Sequence, residues 1–442
     1  MSAPLPLPTL SYQEGRLLMD ERGRALGVPS VRTISQAYRV RGRLDLPLLD
    51  RALELLSQRH EALRTRFDGP RAQTVHADVV VRGVTFDAAG DEAAAIERVR
   101  TEAEVPLPAE RPERLRVAVV RVADDDHFVV LVFDHLVVDG WARGVLMEEL
   151  STLYADLAAG RAPSLPEVAY SYRDHVRDQR DLLTGPDSER MREFWHARLA
   201  GVGAIPRLEV PKRPAGATPE GGYETRNLPP AVAAEIRGFA ARERVTLFML
   251  VLCGLFVVLR EHTGKDDQAV AVNVYNRESA GRENLVAPLA ELLVVRSDLA
   301  GADTFRAALR RVRGDSLDAQ EHGEIPFAEL VKTFNPDEYA DPDAPIGVVL
   351  NMLYAQLHGG GIDFAPATTT VFPLSDEGFR PRSELMLVGE AGVDTLSLSA
   401  YYQADRLPAE FVAGLLDRLV VLLEKVVADP LLPLEVRGVR AS

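Results

Sequence analysis

Residues 127–141 have the sequence HFVVLVFDHLVVDGW, an apolar run that ends in a histidine, two carboxylates and a glycine. β-Branched and aromatic residues dominate 127–133, which predicts a buried strand. After Gly140, apolar residues recur with helical spacing, which predicts that a helix follows. Backbone N–H groups at the start of a helix are unpaired and suit a developing oxyanion. The sequence therefore predicts a chemical role for His135, at a strand-to-helix junction.

The bulk composition sets limits on the class of protein. A chain of 442 residues with 46% hydrophobic content can bury a large core, and its length suggests two or three domains. The net charge of −15 argues against a general nucleic-acid binder. The sequence contains no phosphate-binding glycine loop, no zinc-spaced His/Glu motif and no dinucleotide fingerprint, so we expect neither a metal nor a tightly bound cofactor.

The same composition bears on the compartment. Cys253 is the single cysteine, which excludes an intramolecular disulfide and a cysteine-based metal cluster. It lies in the apolar run 247–259, which is shorter than the ~20 residues of a membrane-spanning helix and is predicted to be a buried helix. Residues 1–10 have neither the basic start nor the apolar core of a secretory signal. We therefore predict a cytoplasmic protein with no membrane partner.

Strand-like and helix-like runs mix throughout both halves, which predicts an α/β fold with two sandwich lobes. Residues 201–230 contain six prolines, several glycines and little periodicity, which is typical of a connection between domains. The predicted organisation is an N-terminal lobe over 1–200 that carries His135, a crossover over 201–230, and a C-terminal lobe over 231–442.

Several motifs resemble those of one enzyme family. His135, Asp139 and Gly140 match the second His, the Asp and the Gly of HHxxxDG. That signature marks the condensation domains of nonribosomal peptide synthetases, within the chloramphenicol-acetyltransferase-like superfamily. Further segments follow in the family's order: Leu10–Arg16 resembles SxAQ, Arg59–Phe67 matches RHExLRTxF, Tyr172–Val176 is similar to YxDYA, Asn276–Arg277 with Arg296 falls at GR…FVNT…R, and His322–Phe327 resembles HQDxPF.

The resemblance implies both a fold and an activity. The family has two acetyltransferase-like lobes arranged in a V, with the active site between them and bridging loops from the C-terminal lobe, here expected at 276–288 and 359–373. The implied enzyme joins an acyl or aminoacyl group to an amine or hydroxyl acceptor, forming an amide or an ester. An acyl or peptidyl carrier protein would deliver the donor as a thioester on its phosphopantetheine arm, and the acceptor would be a small molecule or carrier-bound. We expect a free-standing monomer in natural-product biosynthesis.

The resemblance also assigns roles to residues. His135 is expected to act as a general base, or to orient the acceptor and stabilise the tetrahedral intermediate. At a helix start, Asp139 suits capping or pairing with a buried arginine better than acting as a second base. In the family the equivalent Asp forms a structural salt bridge, and Arg277 matches its partner. Gly140 is expected to allow a close approach of the backbone. The remaining candidates are expected to line the cleft: Ser11, Gln13, Trp141 and Glu291.

Two positions depart from the family pattern. Asp134 stands where the first histidine of the motif is usual, and neighbouring residues of a strand point to opposite faces. If His135 faces the substrate, Asp134 should therefore point into the lobe and support the site. Asp134 and Asp139 together also satisfy DxxxxD, the signature of heterocyclization domains, although the retained His135 argues against that class. Glu291 stands where the family has Asn, which suggests an unusual acceptor.

Two further alternatives stay open at the level of sequence. One is an acyltransferase of the same superfamily that uses coenzyme A and needs no carrier protein. The other is a catalytically silent member that recruits other enzymes to a carrier-bound peptide. The departures at Asp134 and Glu291 favour the silent member, whereas the intact His135, Asp139 and Gly140 favour an enzyme.

Overall fold

Helices and strands alternate along both halves of the chain. A computed structural model describes residues 4–26, 32–201, 208, 220–279, 281–337, 346–354, 361–374 and 381–434. The first half contains, in order, β1 (Leu5–Pro8), α1 (Ser11–Leu26), β2 (Thr33–Arg41), α2 (Leu46–Arg59), a short 3-10 helix (Glu61–Arg64), β3 (Thr65–Phe67), β4 (Ala72–Val75), β5 (Gly83–Asp87), α3 (Glu92–Glu104), β6 (Leu115–Ala123), β7 (Asp126–Asp134), α4 (Gly140–Ala158), α5 (Tyr172–Thr184) and α6 (Pro186–Leu199). The second half contains β8 (Gly221–Leu228), α7 (Pro230–Glu243), α8 (Leu247–Thr263), β9 (Asp267–Val274), β10 (Glu291–Asp298), α9 (Phe305–Glu321), α10 (Phe327–Phe334), β11 (Ile346–Tyr354), β12 (Thr368–Phe372), β13 (Ser383–Ala391), β14 (Leu396–Gln403) and α11 (Ala409–Ala428).

The first half is built around the strand that carries the motif. In a five-stranded sheet of order β12-β2-β7-β6-β5, β7 pairs antiparallel with both β2 and β6. Residues 127–134 of β7 are all buried, as their apolar composition predicts. The strand ends at Asp134, and α4 begins at Gly140 with Asp139 as its N-cap. The predicted strand-to-helix junction is confirmed. A smaller sheet of order β1-β4-β3 lies beside it.

The second half is built on a six-stranded sheet of order β10-β9-β11-β13-β14-β8. Its core includes the apolar helix α8, in which the Cys253 side chain is completely buried. The sheet also corrects one expectation. Residues 221–228, predicted as part of the crossover, form the edge strand β8 and pair with β14. Their glycines and exposed polar positions hide the strand periodicity, because an edge strand buries only part of its surface.

Two segments of the second half pack into the first half. Strand β12 pairs with β2 and extends the five-stranded sheet. Phe364, which precedes β12, packs edge-on against Tyr154 of α4, and residues 285–289 contribute side chains to the same core. These are the regions that the resemblance assigns to bridging loops, although Gly359 and Gly360 lie outside the described residues. The contacts hold the two halves together around a shared cavity.

Within the described residues, no single helix combines the length and hydropathy of a membrane span. Helices α7 and α8 meet such a criterion jointly, but they are bent by 98° relative to each other. The described part of the chain also contains no group of three His, Cys, Asp or Glu side chains placed to hold a metal ion.

Candidate active site

A cavity of about 460 Å³ lies between the two halves and includes His135 in its wall. The first half contributes residues of α1 and of the β7–α4 junction. The second half contributes β9, β10, β11, β13 and the start of α10. The wall formed by the second half is largely apolar, with Leu292, Phe327, Val331, Ile346, Val349 and Met386. Such a space, apolar with a few polar groups, is typical of a small-molecule site.

His135 faces this cavity with a neutral imidazole. Burial, reinforced by the positive charge of Arg16, lowers the pKa of His135 below its usual value of 6.5. The Nδ1 atom lies 3.4 Å from the hydroxyl of Tyr12, and Nε2 has no hydrogen-bond partner among the residues that the structure describes. The imidazole is therefore unprotonated near pH 7 and able to accept a proton from a bound nucleophile.

Tyr12 is a residue of the site that the sequence reasoning missed. It lies on α1 within the SxAQ-like segment, and burial raises the pKa of its hydroxyl. Tyr12, Arg16 and Met19 all line the cavity, and their spacing of four and three residues places them on one helix face. That spacing is the signal that could have identified Tyr12.

Asp134 points away from the cavity, as the alternation along a strand predicts. Its Oδ2 atom accepts a bond of 2.6 Å from Arg114, and both side chains are buried. Its Oδ1 atom accepts the backbone N–H of Leu136 at 2.9 Å, which holds the chain at the turn after His135. Asp134 is therefore placed to support the backbone beneath the imidazole rather than to contact a substrate.

Asp139 is fully engaged by the protein. Its two oxygens lie 2.9 and 3.1 Å from one guanidinium nitrogen of Arg277. Oδ1 also accepts the N–H of Ala142 at 2.7 Å and so caps α4. Oδ2 accepts the N–H groups of Leu289 and Ala290 at 2.9 and 2.8 Å. These bonds leave Asp139 unsuited to act as a base.

Arg277 organises the loop that closes the cavity floor. It is buried, and its two terminal nitrogens also donate to the carbonyl oxygens of Arg282, Leu285 and Ala287, while Nε has no partner among the described residues. Its guanidinium carbon lies 5.7 Å from the ring centre of Trp141. The Asp139–Arg277 pair thus ties the start of α4 to the backbone that leads into β10.

Gly140 lines the cavity but does not need to be glycine for a close backbone approach. A Cβ atom built on it would meet nothing within 4 Å, and its φ angle is not in the left-handed region. This corrects the expectation from sequence. The missing side chain instead leaves cavity space open next to His135.

Glu291 lines the cavity at the first position of β10. Burial raises the pKa of its carboxyl group to about 8, opposed by the backbone N–H of Phe327. That N–H lies 3.4 Å from Oε2. Glu291 therefore lies in the cavity wall, and its burial favours a neutral acid near pH 7.

The other predicted lining residues do not line this cavity. Gln13 is completely buried, and its amide nitrogen donates to the Leu136 carbonyl and to the Tyr172 hydroxyl, both at 2.7 Å. Ser11 is also buried, and its hydroxyl donates to a side chain of α10. The Trp141 ring lies tilted against the ring of Tyr275, which does line the cavity, and its N–H donates to a backbone carbonyl at 2.8 Å. All three support the walls from behind.

Sequence comparison finds one family over almost the whole chain. A family model described as the condensation domain matches residues 10–437. The chain is 35% identical to a linear gramicidin synthase of Brevibacillus parabrevis over 67% of its length, and 32% identical to isonitrile lipopeptide synthase of Mycobacterium tuberculosis over 97%. These matches cover 4% and 17% of the two relatives, so the chain spans a small share of their length.

Structure comparison confirms the predicted two-lobed, chloramphenicol-acetyltransferase-like α/β fold. The X-domain from teicoplanin biosynthesis matches with a TM-score of 0.83 at 23% identity, over 99% of both chains. The first condensation domain of the calcium-dependent antibiotic synthetase matches with a TM-score of 0.74 at 19% identity, over 97% of this chain and 98% of that one. At these identities the likeness shows the fold alone.

Proposed function

Because the chain belongs to the condensation-domain family of nonribosomal peptide synthetases, we propose that it catalyses acyl transfer at His135. The donor is an acyl or aminoacyl thioester on the phosphopantetheine arm of a carrier protein. The acceptor is an amine or a hydroxyl, and the product is an amide or an ester. The observation that supports this most strongly is a neutral imidazole in the wall of a cavity shared by both halves.

The residues suggest a simple sequence of events. The acceptor nitrogen or oxygen forms a bond to the thioester carbonyl carbon, and its proton passes to Nε2 of His135. The tetrahedral intermediate then breaks its carbon–sulfur bond, and the departing thiolate takes the proton back from the imidazolium. Proton transfer of this kind contributes ~10²–10⁴-fold to a rate, and holding both reactants in place contributes more. The thioester itself supplies the activation.

Tyr12 and Asp134 would position the imidazole in this scheme. The Tyr12 hydroxyl near Nδ1 would orient the ring, and Asp134 would hold the backbone turn after His135 through Leu136. Asp139 would act through Arg277, by fixing the floor of the cavity. None of these three is assigned a proton-transfer step.

The geometry weighs against heterocyclization as the activity. His135, which that class replaces, is retained in the cavity wall, whereas Asp134 is paired with Arg114 in the lobe interior and Asp139 is held by Arg277. A silent recruitment role is disfavoured by His135, which retains access to a cavity large enough for a small molecule.

The test is a reconstitution with purified components. We expect amide or ester product, detected by mass spectrometry, when the protein is mixed with an acyl-loaded carrier protein and a panel of amines and alcohols. We expect no product when acyl-coenzyme A replaces the loaded carrier. Turnover with acyl-coenzyme A alone would identify a carrier-independent acyltransferase instead. No product with any donor would favour the silent recruitment role.

A further inference from the structure

The second-half wall of the cavity presents two oxygen acceptors that the protein leaves almost unused. Glu291 lies at the start of β10, and Asn351 lies in β11, two strands away in the same sheet. Within the described residues, the Glu291 carboxyl group accepts a single long bond, from the N–H of Phe327 at 3.4 Å. The Asn351 Oδ1 atom is buried and has no hydrogen-bond partner there. Buried acceptors of this kind are rare unless a ligand or water completes them.

Glu291 also lacks a cationic partner in the described part of the chain, because no arginine, lysine or histidine forms an ion pair with it. Arg16 and Arg382 line the same cavity, and both of their charges act on Tyr12, but neither is among the groups that shift the pKa of Glu291. The contrast with Asp139, which Arg277 neutralises, is direct. A carboxyl group in an apolar wall, without a counter-charge, is costly to ionise unless a ligand supplies the cation.

The surroundings of the two acceptors are mostly apolar, although Asn273 of the intervening strand β9 adds a further amide to the wall. Phe327 and Val331 of α10, together with Val349 and Met386 of the sheet, line the same cavity. A molecule bound there would place an apolar body against these side chains and donors against the oxygens. An ammonium group offers three donors and one positive charge, which matches a carboxylate and an amide oxygen.

We infer that this wall binds a primary ammonium group carried on an apolar body, with Glu291 as its charge partner and Asn351 as a second acceptor. The inference deepens the proposed function and rests on it in one respect, since the bound molecule would be one of the two reactants of acyl transfer. It makes Glu291 the residue that selects a substrate with a basic nitrogen.

Equilibrium binding tests this inference without any carrier protein or thioester. Titration calorimetry at pH 8.5 would compare 2-phenylethylamine, which is cationic at this pH, with 2-phenylethanol, its neutral counterpart. We expect the amine to bind wild type at least about tenfold more tightly, the size of a charge-assisted hydrogen bond. Glu291→Gln should abolish the preference, and Asn351→Leu should reduce it. The matched control is Glu390→Gln, on an exposed position of β13, which should keep it.

Proton release provides a second readout. Because the pKa of Glu291 without a ligand is about 8, its carboxyl group is mostly protonated at pH 7, and binding of the ammonium should release most of one proton. Calorimetry in two buffers of different ionisation enthalpy measures that number, and Glu291→Gln should bring it near zero. The other titratable groups on the cavity wall remain unchanged in this variant; they are Tyr12, Arg16, His135, Asp139, Tyr275 and Arg382.

Three results would overturn the inference: equal affinity of wild type for amine and alcohol, a preference that survives Glu291→Gln, or no binding of the amine at millimolar concentration by folded protein. Because no acyl donor is present, each of these results leaves acyl transfer at His135 untouched. Conversely, an inactive protein that still prefers the amine would reject the proposed activity and keep the binding site.

Discussion

Two carboxylates border the same cavity in opposite circumstances. On the floor, Asp139 accepts bonds from Arg277 and from three backbone N–H groups, and none of its capacity is left for a ligand. On the wall, Glu291 has one long backbone contact and no counter-charge among the described residues. Asp139 is buried and Glu291 is partly buried, yet the protein satisfies the first carboxylate and leaves the second available to a ligand.

The difference distinguishes a carboxylate that stabilises the cavity, Asp139, from one that is available to bind a ligand, Glu291. A buried carboxylate and its hydrogen-bonding partners stabilise the folded state only together, because burying any one of these groups without the others costs free energy. A buried carboxyl without partners costs stability and is typical of a functional site. The two positions should therefore respond in opposite directions when their charge is removed.

The largest effect is expected on the floor. Asp139→Asn leaves the Arg277 guanidinium buried without its counter-charge, and should lower the free energy of unfolding by about 3–5 kcal/mol. Urea denaturation followed by circular dichroism measures the change. Arg277→Met combined with Asp139→Asn should recover part of the loss, since the unpaired cation is then gone.

An exposed ion pair gives the matched control for this prediction. Glu261→Gln breaks the pair with Arg418 on the surface of the second half, and it should cost less than about 1 kcal/mol. A similar small cost for Asp139→Asn would show that the floor does not depend on its charge, and the comparison would fail.

Removing the charge of Glu291, on the cavity wall, should raise the free energy of unfolding instead of lowering it. The folded protein raises the pKa of Glu291 from 4.5 to about 8, so it holds this proton more tightly than the unfolded chain does. The contribution of Glu291 to stability is therefore present below about pH 4.5 and is lost as the pH rises through about 8. Glu291→Gln should raise the free energy of unfolding by roughly 1–3 kcal/mol at pH 8.5 and change it little at pH 4.5.

Denaturation curves at the two pH values check this prediction. Because the wild-type and variant proteins share every other titrating group, the difference between them isolates the one carboxyl. Equal free energies of unfolding across the pH range, or a lower value for the variant at pH 8.5, would mean that a charged or hydrogen-bonding group of the folded protein stabilises ionised Glu291.

The smallest effect concerns Gly140, beside the imidazole. Gly140→Ala places a methyl group in open cavity space, so we expect a change in unfolding free energy within about 1 kcal/mol, together with weaker binding of bulky acceptors. Gly254→Ala in α8 is the contrasting variant, because its Cβ would lie 2.7 Å from a Leu419 methyl group. That variant should lose about 1–3 kcal/mol. Thermal melts of both variants measure the difference in stability. An equal loss of stability in the two variants would show that Gly140 is packed as tightly as Gly254 and does not face open cavity space.

Local periodicity accounts for the part of the site that was predictable. Two-residue alternation along β7 places Asp134 in the lobe when His135 faces the cavity, and the structure shows that arrangement. The expectation that Gln13 lines the cleft does not match the structure. One step along a helix turns a side chain by about 100°, so Gln13 points into the lobe while Tyr12 lies at the cavity. The four-residue spacing of Tyr12 and Arg16 places both on one helix face, and that spacing predicts that Tyr12 lines the cavity.

Long-range packing accounts for the part that was not predictable. The sequence shows that Glu291 departs from the family pattern, but its proton affinity depends on α10, which meets β10 only in the folded protein. Likewise, β8 becomes a strand because β14 lies beside it, and nothing in residues 221–228 alone indicates that pairing. Tertiary context outweighs local pattern at both places.

The central claim is that the His135 imidazole takes part in acyl transfer, and a single-turnover assay tests it most directly. Acyl-loaded carrier protein, an accepted amine and an excess of enzyme would be mixed, and amide formation would be followed by quenched-flow mass spectrometry. His135→Ala should slow the reaction by ~10²–10⁴-fold while leaving the thermal melt unchanged, and His196→Ala, on an exposed position of α6, should not slow it. Amide formation by folded His135→Ala at the wild-type rate would contradict the account.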